Sequence, residues 1–318
     1  MSIKIAGVYF AYNRPELIEK TLTKFSKFDF SKLIIFLNGP IDQDDQFKTQ
    51  RTYSEVKRII KNKKNVELNV NKINKNINLQ FFESLNYVFN KYEAAMVLED
   101  DCIPSDTFFN FCKTTINYHK KDDKIAAICG TNFLNIKLSE DYYYTKYFFP
   151  WGWASWRRFW KSMVIKKNNI QHFQNSKKFK MIFPNKIEKI YWRNIFYDKN
   201  FDVPWDNYVF MNIIQQGKFT VIPKQNLIQN IGVGLKSSHY QADYDTRLIK
   251  KNSEIKGIIK INKNIFANTE VDNQLFNIVY NGERMKINNN LSRLIFYYTK
   301  NIFRIVKKYI SKYLSIRL

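Results

Sequence analysis

The chain has 318 residues, 52 Lys and Arg against 28 Asp and Glu, a formal net charge of +24, and a 45% hydrophobic fraction, enough to fill one large core and too much for a disordered polar chain. Cys102, Cys112 and Cys129 are too few and too irregularly spaced for a disulfide framework or a zinc cluster, and they read as reduced, buried thiols. The first apolar run meets Asn13, Arg14 and Pro15 before it reaches signal-peptide length, and no stretch approaches the ~20 apolar residues of a membrane span, so a cytoplasmic chain is expected.

KIAGVYFAYN reads as a strand and RPELIEKTLTKF as the helix after it, with Pro15 where a first turn tolerates proline. KLIIFLNGP predicts a second strand closed by a turn, TYSEVKRIIKN a helix, NVELNVNKI a third strand, and LQFFESLNYVFNKY an amphipathic helix. AAMVLEDD is apolar on both faces until its acids, as in a central parallel strand. A helix opening at PSDTFF follows, with Asp106 placed to cap it, and KIAAICGTN is another buried strand. This alternation predicts an α/β fold with a mostly parallel sheet flanked by helices.

From Tyr142 the texture becomes aromatic, YYYTKYFFPWGWASWRRFWK, and later comes FDVPWDNYVFMNIIQQG and the segment GVGLKSSH. The expected organisation is a catalytic domain over 1–245, a weakly ordered extension over 246–290, and a basic amphipathic helix over 291–318. That last helix places aliphatic and aromatic residues opposite Arg293, Lys300, Arg304, Lys307 and Lys308, a pattern suited to an anionic membrane surface; a terminal helix packed on the domain fits it too.

Glu99, Asp100 and Asp101 end an inner strand, and in an open parallel sheet the carboxyl ends of the strands line the ligand crevice. Adjacent carboxylates repel unless a cation or hydrogen-bond donors neutralise them, and hard oxygen ligands suit Mg²⁺ or Mn²⁺ carrying a diphosphate. A solvated turn is the bland alternative. Gly152 between Trp151 and Trp153 suggests a close backbone approach beside indole faces able to stack on a sugar, whereas Trp156 and Trp160 suit an aromatic core corner equally well. His119 and His172 receive no role.

AYNRPELIEKTL, AAMVLEDDCIPSDTFFNF, FFPWGWASW, PWDNYVF and GVGLKSSH together, in this order over residues 3 to 240, resemble the GT-A glycosyltransferases. Within these, the likeness is to the inverting family that includes N-acetylglucosaminyltransferase I and its bacterial capsule and lipooligosaccharide relatives. The resemblance implies a Rossmann-like nucleotide-sugar-binding fold and a nucleoside diphosphate-sugar donor, UDP-linked by expectation. It makes Asp101 the metal ligand, sets Glu99 and Asp100 against the ribose and donor sugar, and puts Arg14 on the nucleotide. Asn38 stands where the eukaryotic enzyme reads the base with an acid, and Asn13 also replaces an acid. Asp206 becomes the base that deprotonates the acceptor, with Trp205 walling the sugar pocket and Asn207 replacing a second acid. His239 is a candidate metal or diphosphate contact, and Gly232, Gly234 and Lys236 a loop over the diphosphate.

The implied partners are a nucleotide-sugar, a glycan or lipid-linked acceptor, and the inner face of the cytoplasmic membrane, in surface polysaccharide synthesis. Three rivals stand beside this reading. A sugar nucleotidyltransferase needs a glycine-rich phosphate loop that AYNRPEL lacks. A nucleic-acid-binding protein would explain the charge, but its basic residues belong on one module and here they are scattered. A non-catalytic glycan-binding relative would keep the fold alone.

Overall fold

A computed structural model describes residues 3–164, 167–196, 203–232 and 250–287. Its strands are β1 Ile5–Ala11, β2 Lys32–Leu37, β3 Val66–Val70, β4 Ala94–Glu99, β5 Cys102–Pro104, β6 Ile125–Cys129, β7 Tyr142–Thr145, β8 Trp153–Trp156, β9 Phe219–Pro223 and β10 Ile228–Asn230. The helices are α1 Pro15–Phe25, α2 Gln43–Ile60, α3 Ile77–Lys91, α4 Phe108–Tyr118, α5 Arg157–Ser162, α6 Lys167–Asn175, α7 Lys177–Ile182, α8 Lys186–Ile195, α9 Trp205–Gln216, α10 Thr269–Val279 and α11 Gly282–Ile287.

Eight strands form one sheet in the order β3-β2-β1-β4-β8-β6-β9-β7, and β10 pairs antiparallel with β5 in a small second sheet. The expected α/β architecture is present, but only half of the large sheet is all-parallel. β1 is buried along its whole length and pairs parallel with β2 on one side and β4 on the other. From β1 the chain steps outward through α1 to β2 and through α2 to β3, then returns through α3 to β4 on the opposite side of β1. Order therefore reverses between β1 and β4, and the crevice at such a switch point lies beyond the strands' carboxyl ends. Register puts Phe10 opposite both Phe36 and Glu99, so Tyr12–Arg14, Asn38–Gly39 and Asp100–Asp101 emerge at one edge.

The other half is mixed. β8 runs antiparallel to both β4 and β6, β9 is parallel to β6, and β7 is antiparallel to β9. The aromatic segments YYYT and WASW, not assigned as strands from the sequence, are β7 and β8; every residue in both is buried, so neither shows an alternating pattern. One apolar core lies under α3 and α9 and is dominated by rings; the other lies under α1 and α4.

Two expectations change. Asp106 does not cap α4: it pairs with Lys24 at 3.2 Å, and the cap comes from Glu254. The Glu254 carboxylate accepts from the Asp106 and Thr107 amides at 2.9 Å each and from the Thr107 hydroxyl at 2.8 Å, satisfying donors that a helix start leaves open. The described part of the segment expected to be loosely ordered is packed: Ile255 and Ile259 join one core, Val271, Leu275 and Phe276 the other, and buried Asp272 accepts from the Thr145 hydroxyl. Residues 291–318 lie outside the described residues. Among the described residues no helix is long and apolar enough to cross a membrane.

Candidate active site

β4 ends in Glu99, and the next two residues turn into the crevice. Asp100 is 5% exposed, with one carboxylate oxygen accepting from the Tyr12 amide at 3.0 Å and the other from Arg14 Nη1 at 3.1 Å. The same Nη1 reaches Asp101 Oδ2 at 3.0 Å, so one guanidinium nitrogen bridges two adjacent carboxylates. Arg14 is free to do this because it stands at the N-cap of α1 without capping it, Pro15 having removed the first orphan donor. Cys102 Sγ donates to the other Asp101 oxygen at 3.3 Å.

The crowding sets the electrostatics of the corner. Burial, then the like charges of Asp101, Asp100 and Asp206, push the Glu99 carboxyl well above the usual carboxylate range, against the pull of Arg14. Burial pushes Asp100 up to about 6, with Arg14 opposing and Asp101 adding to the rise. Asp206 therefore lies close enough to Glu99 to act on its charge, although the two are over a hundred residues apart in sequence. It stands in the first turn of α9, whose lead-in is fixed by the Asn78 side chain donating to the Val203 carbonyl at 2.9 Å.

Asp101 offers hard carboxylate oxygens of the kind Mg²⁺ and Mn²⁺ take, and its Oδ2 is held here by Arg14 Nη1. A Cβ built on Gly232 would fall 2.5 Å from Asp101 Oδ2 and 2.6 Å from its Cβ, so glycine lets the backbone pack closely against that side chain. Gly232 is held in place by Ile231, whose amide donates to the Asp101 carbonyl at 2.8 Å, and by Asn230, whose side-chain oxygen accepts from the Gly232 amide at 2.9 Å. Among the described residues no three His, Cys, Asp or Glu side chains gather as a metal cluster, so an ion here would complete its shell with phosphate oxygens and water, as Mg²⁺ and Mn²⁺ commonly do. Gly234, Lys236 and His239 lie outside the described residues.

The remaining residues divide. Asn38 is 6% exposed; its oxygen accepts from the Gly39 and Lys75 amides and from Asn71, and its nitrogen donates to the Lys75 carbonyl, which commits the carboxamide to lacing the loop after β3. Trp205 lies flat on Phe81 with ring centroids 3.7 Å apart, and Trp153 lies beside it with centroids 6.0 Å apart. Trp153 and Trp205 are thus buried among other rings, and of the expected sugar platform Trp151 alone is half-buried rather than buried. Gly152 has a left-handed φ of 63°, and a Cβ there would meet Ile228 at 2.5 Å, so core packing demands this glycine rather than a ligand. Trp156 and Trp160 are core, and His119 is buried between Tyr142 and Tyr144.

One group escaped the sequence. Asp45, in the first turn of α2, accepts from the Tyr12 hydroxyl, the Asn13 amide group and the Ile41 backbone amide. Burial opposes ionisation, but those hydrogen bonds hold the Asp45 carboxyl below its usual range. The signal was Asp42 three residues ahead, the N-cap that accepts from the Asp45 amide; reading the helix from Thr52 concealed it.

No family model matches the chain, and no curated protein sequence matches it. Similar solved structures include a mannosyltransferase from Pyrobaculum calidifontis in complex with GDP-Man and Mn²⁺, at 15% identity over 50% of this chain and 46% of that one, with a TM-score of 0.36. GalNAc-T7 with UDP, GalNAc and Mn²⁺ overlaps at 9% identity over 70% of this chain and 43% of that one, with a TM-score of 0.43. A 4-diphosphocytidyl-2C-methyl-D-erythritol synthase from Anaerococcus prevotii overlaps at 12% identity over 67% and 96%, with a TM-score of 0.33. The chain spans less than half the length of the first two. TM-scores this low assign no activity and no residue role to this chain.

Proposed function

We propose that the chain is a metal-dependent glycosyltransferase of GT-A architecture, moving a sugar from a nucleoside diphosphate, UDP by expectation, to a hydroxyl of a glycan or glycolipid with inversion. The observation that carries this reading is the pairing of Asp100 and Asp101 on Arg14 at the switch-point crevice, with Asp206 on α9 within electrostatic reach of Glu99. Donor-side and acceptor-side carboxylates in one crevice are what direct displacement at an anomeric carbon requires.

Asp101 would hold the cation, and Arg14, which here bridges Asp100 and Asp101, would turn to the phosphate or ribose end of the donor. When bound, a divalent ion supplies positive charge where negative charge develops on the departing diphosphate. Glu99 and Asp100 orient the donor by hydrogen bonds to the ribose and the donor sugar. Asp206 takes the acceptor O–H proton as the new O–C1 bond forms and the C1–O bond to diphosphate breaks, the leaving oxygen keeping the electron pair. Asn38 shapes the nucleoside end through its loop. Membership of the N-acetylglucosaminyltransferase I-like family, a place in capsule or lipooligosaccharide synthesis, and attachment to the inner membrane face by 291–318 belong to the same proposal.

Turnover of nucleotide-sugars with Mn²⁺ tests it. Asp206→Asn is expected to lower the rate by about 10²–10⁴-fold, the usual contribution of a general base, and Asp101→Asn by at least about 10²-fold. Undiminished turnover in both variants would overturn the mechanism.

A further inference from the structure

Asp45 has no part in the proposed transfer, yet it ties together the loops that follow β1 and β2. Its Oδ2 accepts from the Tyr12 hydroxyl and, at 3.0 Å, from the Ile41 amide, and its Oδ1 accepts from the Asn13 side chain. Tyr12 and Asn13 directly precede Arg14, whose Nη1 bridges Asp100 and Asp101. A carboxylate outside the reacting groups therefore fixes the loop that carries the guanidinium of the crevice.

Tyr12 is held at both ends. Its amide donates to Asp100 at 3.0 Å and its hydroxyl to Asp45, so the residue reaches from the end of β4 to the start of α2. Phe10, two residues earlier, stacks on both Phe36 and Phe81. The half-buried Tyr12 ring, by contrast, has no other ring packed against it among the described residues, although its tip is anchored.

The order of groups along a sugar donor says what lies near this residue. With the sugar at Asp206 and the diphosphate at Asp101, the nucleoside lies beyond the phosphates, away from Asp206. The β8 side of β4 is closed by Gly152 against Ile228 and by buried Trp153, which leaves the ends of β1 and β2. Asn38, at the end of β2, makes its hydrogen bonds inside its own loops, whereas Tyr12 and Asn13 stand at the end of β1 with Asp45 holding both. Side chains already immobilised need not be ordered when a ligand arrives, and the cost avoided appears as affinity.

We propose that Asp45 is a positioning residue for the nucleoside end of the donor, acting through Tyr12 and Asn13 without itself touching the ligand. The identity of that ligand rests on the glycosyltransferase reading. The test reads nucleotide affinity rather than turnover.

Calorimetric titration of UDP, GDP and CDP, each with Mn²⁺, into the full chain and its variants is that test. Asp45→Ala is expected to weaken the nucleotide that the parent binds best by about tenfold, the order expected when two side chains lose their fixed positions. Asp45→Asn should recover most of the loss, because its carboxamide oxygen still accepts from Tyr12 and Ile41 while the Asn13 carboxamide turns its own oxygen to the new NH₂ group. Tyr12→Phe keeps the ring and loses the hydroxyl. Combined with Asp45→Ala it should cost less than the two single losses together, since both variants break the same bond. Asp42→Ala is the control for the helix end: it removes the side-chain bond to the Asp45 amide at 2.9 Å, and should lower the unfolding midpoint without changing nucleotide affinity. Full additivity with Tyr12→Phe would overturn the proposal, as would an equal loss in Asp42→Ala, because helix-end stability would then account for both. A parent that binds one nucleotide while Asp45→Ala binds it equally well overturns the proposal alone. A parent that binds none of the three overturns it together with the glycosyltransferase reading.

Discussion

β4 has β1 on one side and β8 on the other, and its two flanks differ in what happens where the strands end. Toward β1 the ends run parallel and release Tyr12, Arg14, Asp100 and Asp101 into a crevice, where buried carboxylates depend on one guanidinium. Toward β8 the neighbour runs antiparallel, its leading turn is shut by Gly152 against Ile228 and Leu98, and Trp153 is 1% exposed. The richest aromatic segment of the chain is therefore mostly scaffold, and the proposed chemistry sits where strands share a direction. Composition draws attention to the tryptophans; topology draws it to the acids.

Two glycines measure that difference. Gly152→Ala places a Cβ into Ile228 at a left-handed φ, and a loss of about 3 kcal/mol in stability is expected from strain plus overpacking, read as a lower denaturant midpoint. Gly232→Ala crowds Asp101 Oδ2 instead, and is expected to cost about a hundredfold in turnover and in Mn²⁺ affinity with a normal unfolding curve. If Gly152→Ala spared stability, or Gly232→Ala spared turnover, the contrast between a sealed and a working flank would fail. Glu254→Gln gives the smallest effect. Loss of the charged cap on α4 should remove about 1 kcal/mol of stability, and because Thr107 follows the acidic turn by only six residues, Mn²⁺ affinity should fall modestly with it. A variant indistinguishable from the parent would show that the 250–255 segment does not brace the site.

The parallel half was legible in the sequence because its period and punctuation are local: apolar β1 and β4 broken by polar ends, Pro15 at a helix start, Asn38–Gly39–Pro40 at a turn. Arg14, Asp100 and Asp101 meet as their positions at strand ends required. In the mixed half β6 was legible but β7 and β8 were not, since they are buried on every residue and their partners, β9 and β4, lie far away in the chain. The same distance hid Glu254, a cap supplied from beyond the crevice, and made Asp106 look sufficient. Trp153 and Trp205 looked like a sugar platform because sequence cannot show that one ring will cover another. Asp206 had no local signal for the proposed role of base, and its nearness to Glu99 is a property of the fold alone.

Calorimetric titration of UDP-sugars into the full chain, with and without Mn²⁺, tests the central claim most directly. Binding is expected only with Mn²⁺, lost in Asp101→Asn and retained in Asp206→Asn, which separates the donor carboxylate from the acceptor base. Binding that ignores Mn²⁺, or that survives Asp101→Asn at full affinity, would contradict the account.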